Sequence, residues 1–276
     1  MKRALPLLWL LFFLAGSCWG SGARRLVSIC LPGDQLLLQL ARPEEIVAVS
    51  WLAHDAELSP RWEEARRYPA TRGTAEELML LKPDLVFAGT FTTPATRAVL
   101  RQLGIPVVEL GVPSNFEELR AQIRLAAQAL GGEAVEKAEA IIATMDARLH
   151  ALQAGEPKPA ALFYYQDGFT PGEGTFAHAL LEAAGYRNLG AELARQYRVS
   201  TPLERVLLAK PDLLIVSRYM EEHPTFGEIT ARHPVLKRVK EVRIVAYPFR
   251  HLDCPDPRNL ELVEELHALK AVLKKP

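Results

Sequence analysis

An excess of either charge sign is missing from this chain: Lys plus Arg and Asp plus Glu each total 33 over 276 residues. A balanced chain has no global field to draw it onto a polyanion or an anionic membrane. No dense Lys/Arg block interleaved with aromatics stands in for one, so nucleic-acid binding is set aside. Long apolar runs are missing too. The longest near the start, Ala4 to Ala15, has twelve residues, short of the roughly 20 that a membrane-spanning helix needs. Catalytic signatures are also lacking. There is no Gly-X-Ser-X-Gly nucleophile elbow, and Gly172-Glu173-Gly174 carries no nucleophile. Neither the phosphate-binding Gly-X-X-X-X-Gly-Lys-Ser/Thr nor the dinucleotide Gly-X-Gly-X-X-Gly occurs. No His-X-His pair or His-rich loop offers the three or four converging ligands of a bare-metal site. Cysteine is scarce, at 3.

What remains is an ordinary globular composition, 49% hydrophobic and 24% charged. The length suits one large domain or two lobes of about 100–130 residues. The first residues differ from the rest. Lys2 and Arg3 precede the apolar run, and the small residues Gly16, Ser17, Gly20, Ser21, Gly22 and Ala23 follow it. That order is the pattern of a secretory signal peptide, with cleavage expected between Ser17 and Ala23. Leu14-Ala15-Gly16-Ser17-Cys18 also approaches a lipoprotein processing site, with Cys18 as an alternative lipid anchor, although Ala15 stands where the pattern wants Leu. The mature chain then keeps Cys30 and Cys254, an even pair in a compartment that permits disulfides.

Apolar runs at 25–29, 46–49, 85–88 and 107–110 read as strands, and the stretches between them as helices and turns. This alternation predicts a mostly parallel sheet. Asp34 is expected to cap a helix over 35–41. Asn115 opens a helix to Leu130, and Gly131-Gly132 separates it from a second over 133–152. That second helix has Val135, Ala138, Ile141, Ile142, Met145 and Leu149 on one face. At 1.5 Å per residue it makes a rod of about 30 Å. After Gly155-Glu156-Pro157 the alternation restarts, with strands at 161–165, 213–216 and 242–247 and helices at 175–184 and 260–273. The expected fold is therefore α/β: two Rossmann-like lobes with central, mostly parallel sheets, joined by one long α-helix. The divisions are a leader over 1–23, an N-terminal lobe over 24–131, the linking helix over 132–154 and a C-terminal lobe over 155–276.

An internal repeat supports two lobes. The segment from Glu76 to Phe87 aligns without a gap on the segment from Glu204 to Ile215, 128 positions later. Each copy is a helix, a Lys-Pro-Asp turn in which proline forces the helix to end, and an apolar strand.

These pieces resemble the periplasmic iron-siderophore and cobalamin binding-protein family of ABC importers. The resemblance rests on Arg25-Leu26-Val27-Ser28, Glu76 through Asp84, Leu103-Gly104-Ile105-Pro106-Val107, Leu180 through Gly185 with Asn188, Glu204 through Asp212, and Pro257-Arg258. It implies a monomeric binding protein, not an enzyme, that holds a ferric siderophore, haem or cobalamin-like corrinoid between its lobes as cargo, without an intrinsic cofactor. It also implies that Glu76 and Glu204, one on each lobe, dock onto arginines of a permease dimer in the inner membrane. Two loops depart from the family pattern: Cys30-Leu31-Pro32-Gly33-Asp34-Gln35 after the first strand, and Asp256 where a Gly precedes Pro257-Arg258.

Ligands of open α/β sheets bind beyond the carboxyl ends of the strands. That rule nominates Trp51, His54 and Phe91 in the first lobe, and Tyr164, Tyr165, Arg218, Tyr219, Arg250 and His251 in the second. Aromatic rings supply area for a large planar ligand, and guanidinium groups pair with its carboxylates. Both cysteines are expected in loops that border the cleft, as a disulfide or as two thiols. The alternatives are a bare Zn or Mn receptor of the same architecture, with His54 and His251 as metal ligands, and a periplasmic chelatase or hydrolase.

Overall fold

The computed structural model describes residues 23–152, 158–165, 168–193, 198–218, 242–251 and 254–273, with 229 and 234 as isolated positions. The expected signal peptide, Cys18, the turn at 155–157 and Tyr219 lie outside the described residues.

The first sheet uses β1 (Leu26–Ser28), β2 (Ile46–Ser50), β3 (Ala70–Thr71), β4 (Leu85–Gly89) and β5 (Val107–Leu110). Its order is β3-β2-β1-β4-β5, and every pairing is parallel. The second sheet uses β6 (Ala160–Tyr164), β8 (Arg187–Asn188), β10 (Leu213–Arg218) and β11 (Arg243–Pro248), in the order β11-β10-β6-β8, again parallel throughout. Between these, β7 (Phe169–Pro171) pairs antiparallel with β9 (Arg198–Ser200). Strands covered on both faces are continuous apolar runs, and Leu85 through Ala88 and Leu213 through Val216 are all buried.

The repeat is structural as well as textual. Helices α3 (Ala75–Leu81) and α9 (Leu203–Ala209) each end on a lysine in the left-handed region, Lys82 at φ 45° and Lys210 at φ 47°. They are the only non-glycine residues with positive φ among the described residues. The aspartate after each Lys-Pro then locks the sheet by a reciprocal pair of bonds. Asp84 N donates to the Arg25 carbonyl at 2.8 Å while Arg25 N donates to the Asp84 carboxylate at 2.8 Å. Asp212 N donates to the Ala160 carbonyl at 2.9 Å, and Ala160 N donates to the Asp212 carboxylate at 2.6 Å. Each turn therefore sets the register of β4 on β1, or of β10 on β6.

The linking helix α6 runs Glu133–Ala151, 19 residues or about 28 Å of rod. It buries Ala134, Ala138, Ile142 and Met145, a stripe at helical spacing. Val135, expected on that face, is exposed, because the stripe starts one residue earlier. One apolar core runs through α6 from Leu26 and Phe87 of the first sheet to Phe163 and Ile215 of the second. Phe116 of α5 (Phe116–Leu130) meets Phe176 of α7 (Phe176–Ala184) across the two halves, with ring centroids 5.1 Å apart. The last helix, Asn259–Leu273, closes the far side of this core.

The helix after β1 corrects one expectation. It spans Leu31–Leu40 (α1), with Cys30 at its N-cap and proline at the start, so Asp34 lies inside the first turn and does not cap it. Its carboxylate reaches β2 instead, accepting Ser50 N at 2.8 Å and Ser50 Oγ at 2.5 Å. Gly33 permits this seating: a Cβ there would stand 2.6 Å from Ser28 Oγ and 2.8 Å from Phe87 Cβ. Burial pushes the Asp34 carboxyl up to about 7, against the lowering effect of its hydrogen bonds from Ser50 and Ser28.

Two predictions follow from this packing. Because the core is continuous, urea should unfold both halves in one transition. The described tryptophans, Trp51 and Trp62, belong to the first half, so fluorescence and far-ultraviolet circular dichroism should share a midpoint, and Ile142→Ala should lower stability by about 2–4 kcal/mol. Separate midpoints would break the argument. For Asp34, the folded carboxyl at about 7 against an ordinary value of 3.8 means that the folded chain holds a proton that the unfolded chain releases between these values. Stability should therefore fall as pH rises through that window. Asp34→Asn should gain on the wild type from pH 4 upward and level off above about pH 7; a difference that is constant with pH would contradict it.

Candidate ligand-binding cleft

The strand order reverses direction at β1: the chain leaves it for β2 and β3 on one side, then returns to β4 and β5 on the other. A switch point of this kind opens a crevice at the carboxyl edge of the sheet. A cavity of about 410 Å³ occupies it. Its walls follow the strand ends: Ile29, Cys30, Leu31 and Pro32 after β1, Leu52 after β2, Arg72 and Gly73 after β3, Gly89 through Thr93 at β4, and Leu110 through Val112 at β5. Cys254 and Pro255, between β11 and the last helix, close it from the other half of the molecule.

That closing segment is fixed by bonds across the two halves. The Arg250 guanidinium donates to the Ala56 carbonyl at 2.9 Å, and that of Arg258 to the Pro60 carbonyl at 2.6 Å. The Gln39 amide donates to the buried Asp256 carboxylate at 3.0 Å, with Arg61 Nε 3.9 Å from the same oxygen. Burial raises the Asp256 pKa, and the nearby Arg61 opposes the shift. On the first sheet, Arg97 donates to the carbonyls of Gly89 at 3.1 Å and Thr90 at 2.8 Å, which stiffens the loop that carries Phe91.

The walls are mostly apolar: Ile29, Leu31, Leu52, Phe91, Leu110 and Val112. Arg72 is the charged residue of the lining; its backbone N donates to Glu77 Oε2 at 2.7 Å, and the residue is exposed. The two cysteines share the cavity but are not joined as a disulfide. The Cys30 thiol is pushed up to about 12, first by burial and then by Asp34 beside it, so it stays protonated at neutral pH.

The strand-end nominations divide. Phe91, Cys30 and Cys254 line the cavity. Trp51 is 53% exposed in the 3-10 turn Trp51–His54, and its neighbour Leu52 reaches the cavity in its place. His54 directs Nε2 at the carbonyls of Ala65, 3.0 Å away, and Tyr68, 3.1 Å away, and so braces its own loop. Tyr164 and Tyr165 do not face the cleft. The chain turns back into β7 directly after β6, with Tyr165 N donating to the Phe169 carbonyl at 2.9 Å, so both rings are covered. Tyr164 donates its hydroxyl to the Thr201 carbonyl at 3.1 Å, while Tyr165 packs beside Phe163 in the main core. Arg218 ends β10 half-buried, and Arg250 serves the bridge to Ala56. His251 follows in the same 3-10 turn, its pKa lowered by burial and then by Arg250. Glu76 and Glu204 are exposed in the first turns of α3 and α9. Arg72 and Val112 escaped the sequence reading. The same rule reaches both, but β3 has only two residues and carries no readable alternation.

Comparison with known proteins gives consistent relatives. Two proteins named "Cobalamin-binding protein", from two strains of Halobacterium salinarum, are each 23% identical over 251 residues, covering 87% of this chain and 68% of their own. The solved periplasmic haem-binding protein RhuT of Roseiflexus sp. RS-1 superposes with a TM-score of 0.75 at 24% identity, over 92% of this chain and all of that one. The periplasmic vitamin B12 binding protein BtuF of Vibrio cholerae superposes at 0.65 and 19% identity, over 92% of this chain and 99% of that one. The model of the family described as "Periplasmic binding protein" matches residues 27–249, and the chain belongs to that family.

Proposed function

We propose that this protein is the substrate-binding component of an ABC importer and carries a metal chelate, of the haem or corrinoid type, in the crevice between its two halves. The observation that carries this reading is the 410 Å³ cavity at the switch point of the first sheet, walled by aliphatic side chains and Phe91, with Arg72 at its edge. A bare ion wants converging nitrogen, sulfur or oxygen ligands. A large organic chelate wants apolar area with a few polar anchors, which is what these walls offer. The names of the relatives, haem-binding and cobalamin-binding, point to the same ligand class. On this reading the chain binds and does not catalyse. It is exported by its N-terminal segment, with lipid attachment at Cys18 as the alternative. Among the described residues no helix is long and apolar enough to cross a membrane.

Delivery is assigned to Glu76 and Glu204. Two separated carboxylates at matching places on two lobes orient a partner and speed its encounter more than they add affinity. Both are exposed in the first turns of their helices, where an external arginine can reach them.

Trp51 directly precedes Leu52, which lines the cavity, so its fluorescence should quench on adding haemin or cyanocobalamin and stay unchanged with free ferric, zinc or manganese ions. Equal quenching by free zinc or manganese would favour the bare-metal receptor. For a chelate bearing carboxylates, Arg72→Ala should weaken binding about five- to tenfold, the size expected of an exposed charge-assisted hydrogen bond. Reversing both docking charges, Glu76→Arg with Glu204→Arg, should abolish uptake in cells while leaving the quenching titration unchanged. Lost ligand affinity in that double variant would remove the docking assignment.

A further inference from the structure

Two leucines stand almost fully in water at equivalent places on the two halves. Leu80 and Leu208 are each 80% exposed, and they lie 128 positions apart, as the rest of the repeat does. Each follows its glutamate, Glu76 or Glu204, by four residues on a seven-residue helix, so leucine and glutamate share one face. Each helix buries a single residue, Leu78 in α3 and Val206 in α9, again 128 apart. Each ends in the left-handed lysine and the aspartate lock described above, so the two knobs are presented alike. Isolated exposed leucines are common on protein surfaces. A matched pair, each beside a matched carboxylate, is a different observation.

We propose that Leu80 and Leu208 are the apolar centres of two docking knobs, each rimmed by its glutamate, that seat in two equivalent sockets of a two-fold related permease dimer. This deepens the docking reading above and rests on it. The charges select the occupant. Glu76 and Glu204 are the charges that recur four residues before each leucine, whereas Arg205 stands where the first knob has Glu77, so a socket that fits both knobs needs a basic group opposite the shared glutamate. A second copy of this chain, docked knob to knob, would bring glutamate against glutamate. Two like knobs also call for a partner with two like sockets, which a dimer related by a two-fold axis supplies. The carboxylates then steer the approach, while burying the leucines slows departure.

The test places a photoreactive phenylalanine at position 80 or at position 208 of the full chain in producing cells, with position 135 on α6, also exposed, as the control. Both positions should crosslink to the same polytopic membrane protein, recovered together with an ATPase subunit, at least fivefold above the control. Leu80→Ser with Leu208→Ser should lower uptake at least fivefold with the haemin or cyanocobalamin titration unchanged, which also shows that the variant is folded. Crosslinks to a second copy of the chain, or yields equal to the control, would overturn the proposal. Should Glu76→Arg with Glu204→Arg stop uptake while positions 80 and 208 give only background, the leucine inference falls and the docking reading stands. If neither the charge reversal nor the leucine variant affects uptake, both fall together.

Discussion

The buried stripe of α6, Ala134, Ala138, Ile142 and Met145, sets the geometry on which the rest depends. A crevice between two sheets requires them to stand apart at their carboxyl edges and still keep a fixed relation. The length of the rod supplies the separation, and burial of one face against a shared core supplies the fixed relation. The rotation of the helix about its own axis needs a further constraint. Arg120 of α5 holds Asp146 through two nitrogens, at 2.8 and 2.5 Å, and Arg124 holds Glu139 at 2.8 and 3.0 Å. On the other side Arg148 holds Glu264 of the last helix at 2.7 and 2.8 Å. Partly exposed pairs of this kind add little stability. Their forked geometry is directional, however, and fixes which face of α6 looks inward.

A second constraint acts at the floor of the crevice. The first turn of α1 starts directly beyond Cys30, and its close approach to Ser28 and Phe87 leaves room for glycine alone at position 33. Asp34 then ties α1 to the end of β2 through Ser50, so the ends of the two central strands and the first helical turn form one unit. The cost is a carboxyl held in a fully covered place, with its pKa displaced to about 7. The same burial keeps the Cys30 thiol protonated, so the wall it forms is apolar in character and not that of a nucleophile.

Much of the architecture was legible because its strands are apolar on both faces and its helices are bounded by strong signals. Val107–Leu110 was read to the residue, and Asn115 does cap α5, its side chain accepting from Glu118 N at 2.8 Å. Gly185 ends α7 in the left-handed region, directly after the helix read over 175–184. The Lys-Pro-Asp repeat was visible as text, and its meaning became physical in the paired aspartate locks. The site was legible only in part. A rule about strand ends finds the correct edge of a sheet, yet it does not say which way each side chain turns after the strand. At β2 a 3-10 turn swaps Leu52 for Trp51, and at β6 an immediate return into β7 covers both tyrosines. Short strands hide from pattern reading, and Arg72 was lost with the two residues of β3.

The repeated and unrepeated parts of the chain serve opposite surfaces. Of what recurs at the offset of 128 residues, the glutamates, outward leucines and lysine turns of α3 and α9 face solvent. The cavity is lined by residues outside the repeat. Cys30 through Pro32 form its floor, and Cys254 and Pro255 close it, held in place by Asp256 through Gln39 and by Arg250 and Arg258 through backbone carbonyls. A ligand without two-fold symmetry gains from walls that differ, since each polar anchor can then be placed for one group alone. A partner with two equivalent sockets gains from knobs that match, since a mismatch at either one would be paid at the other as a strained fit. On the proposed docking, a crevice with unlike walls and two like outer helices answer two symmetries, and one pair of pinned sheets carries both.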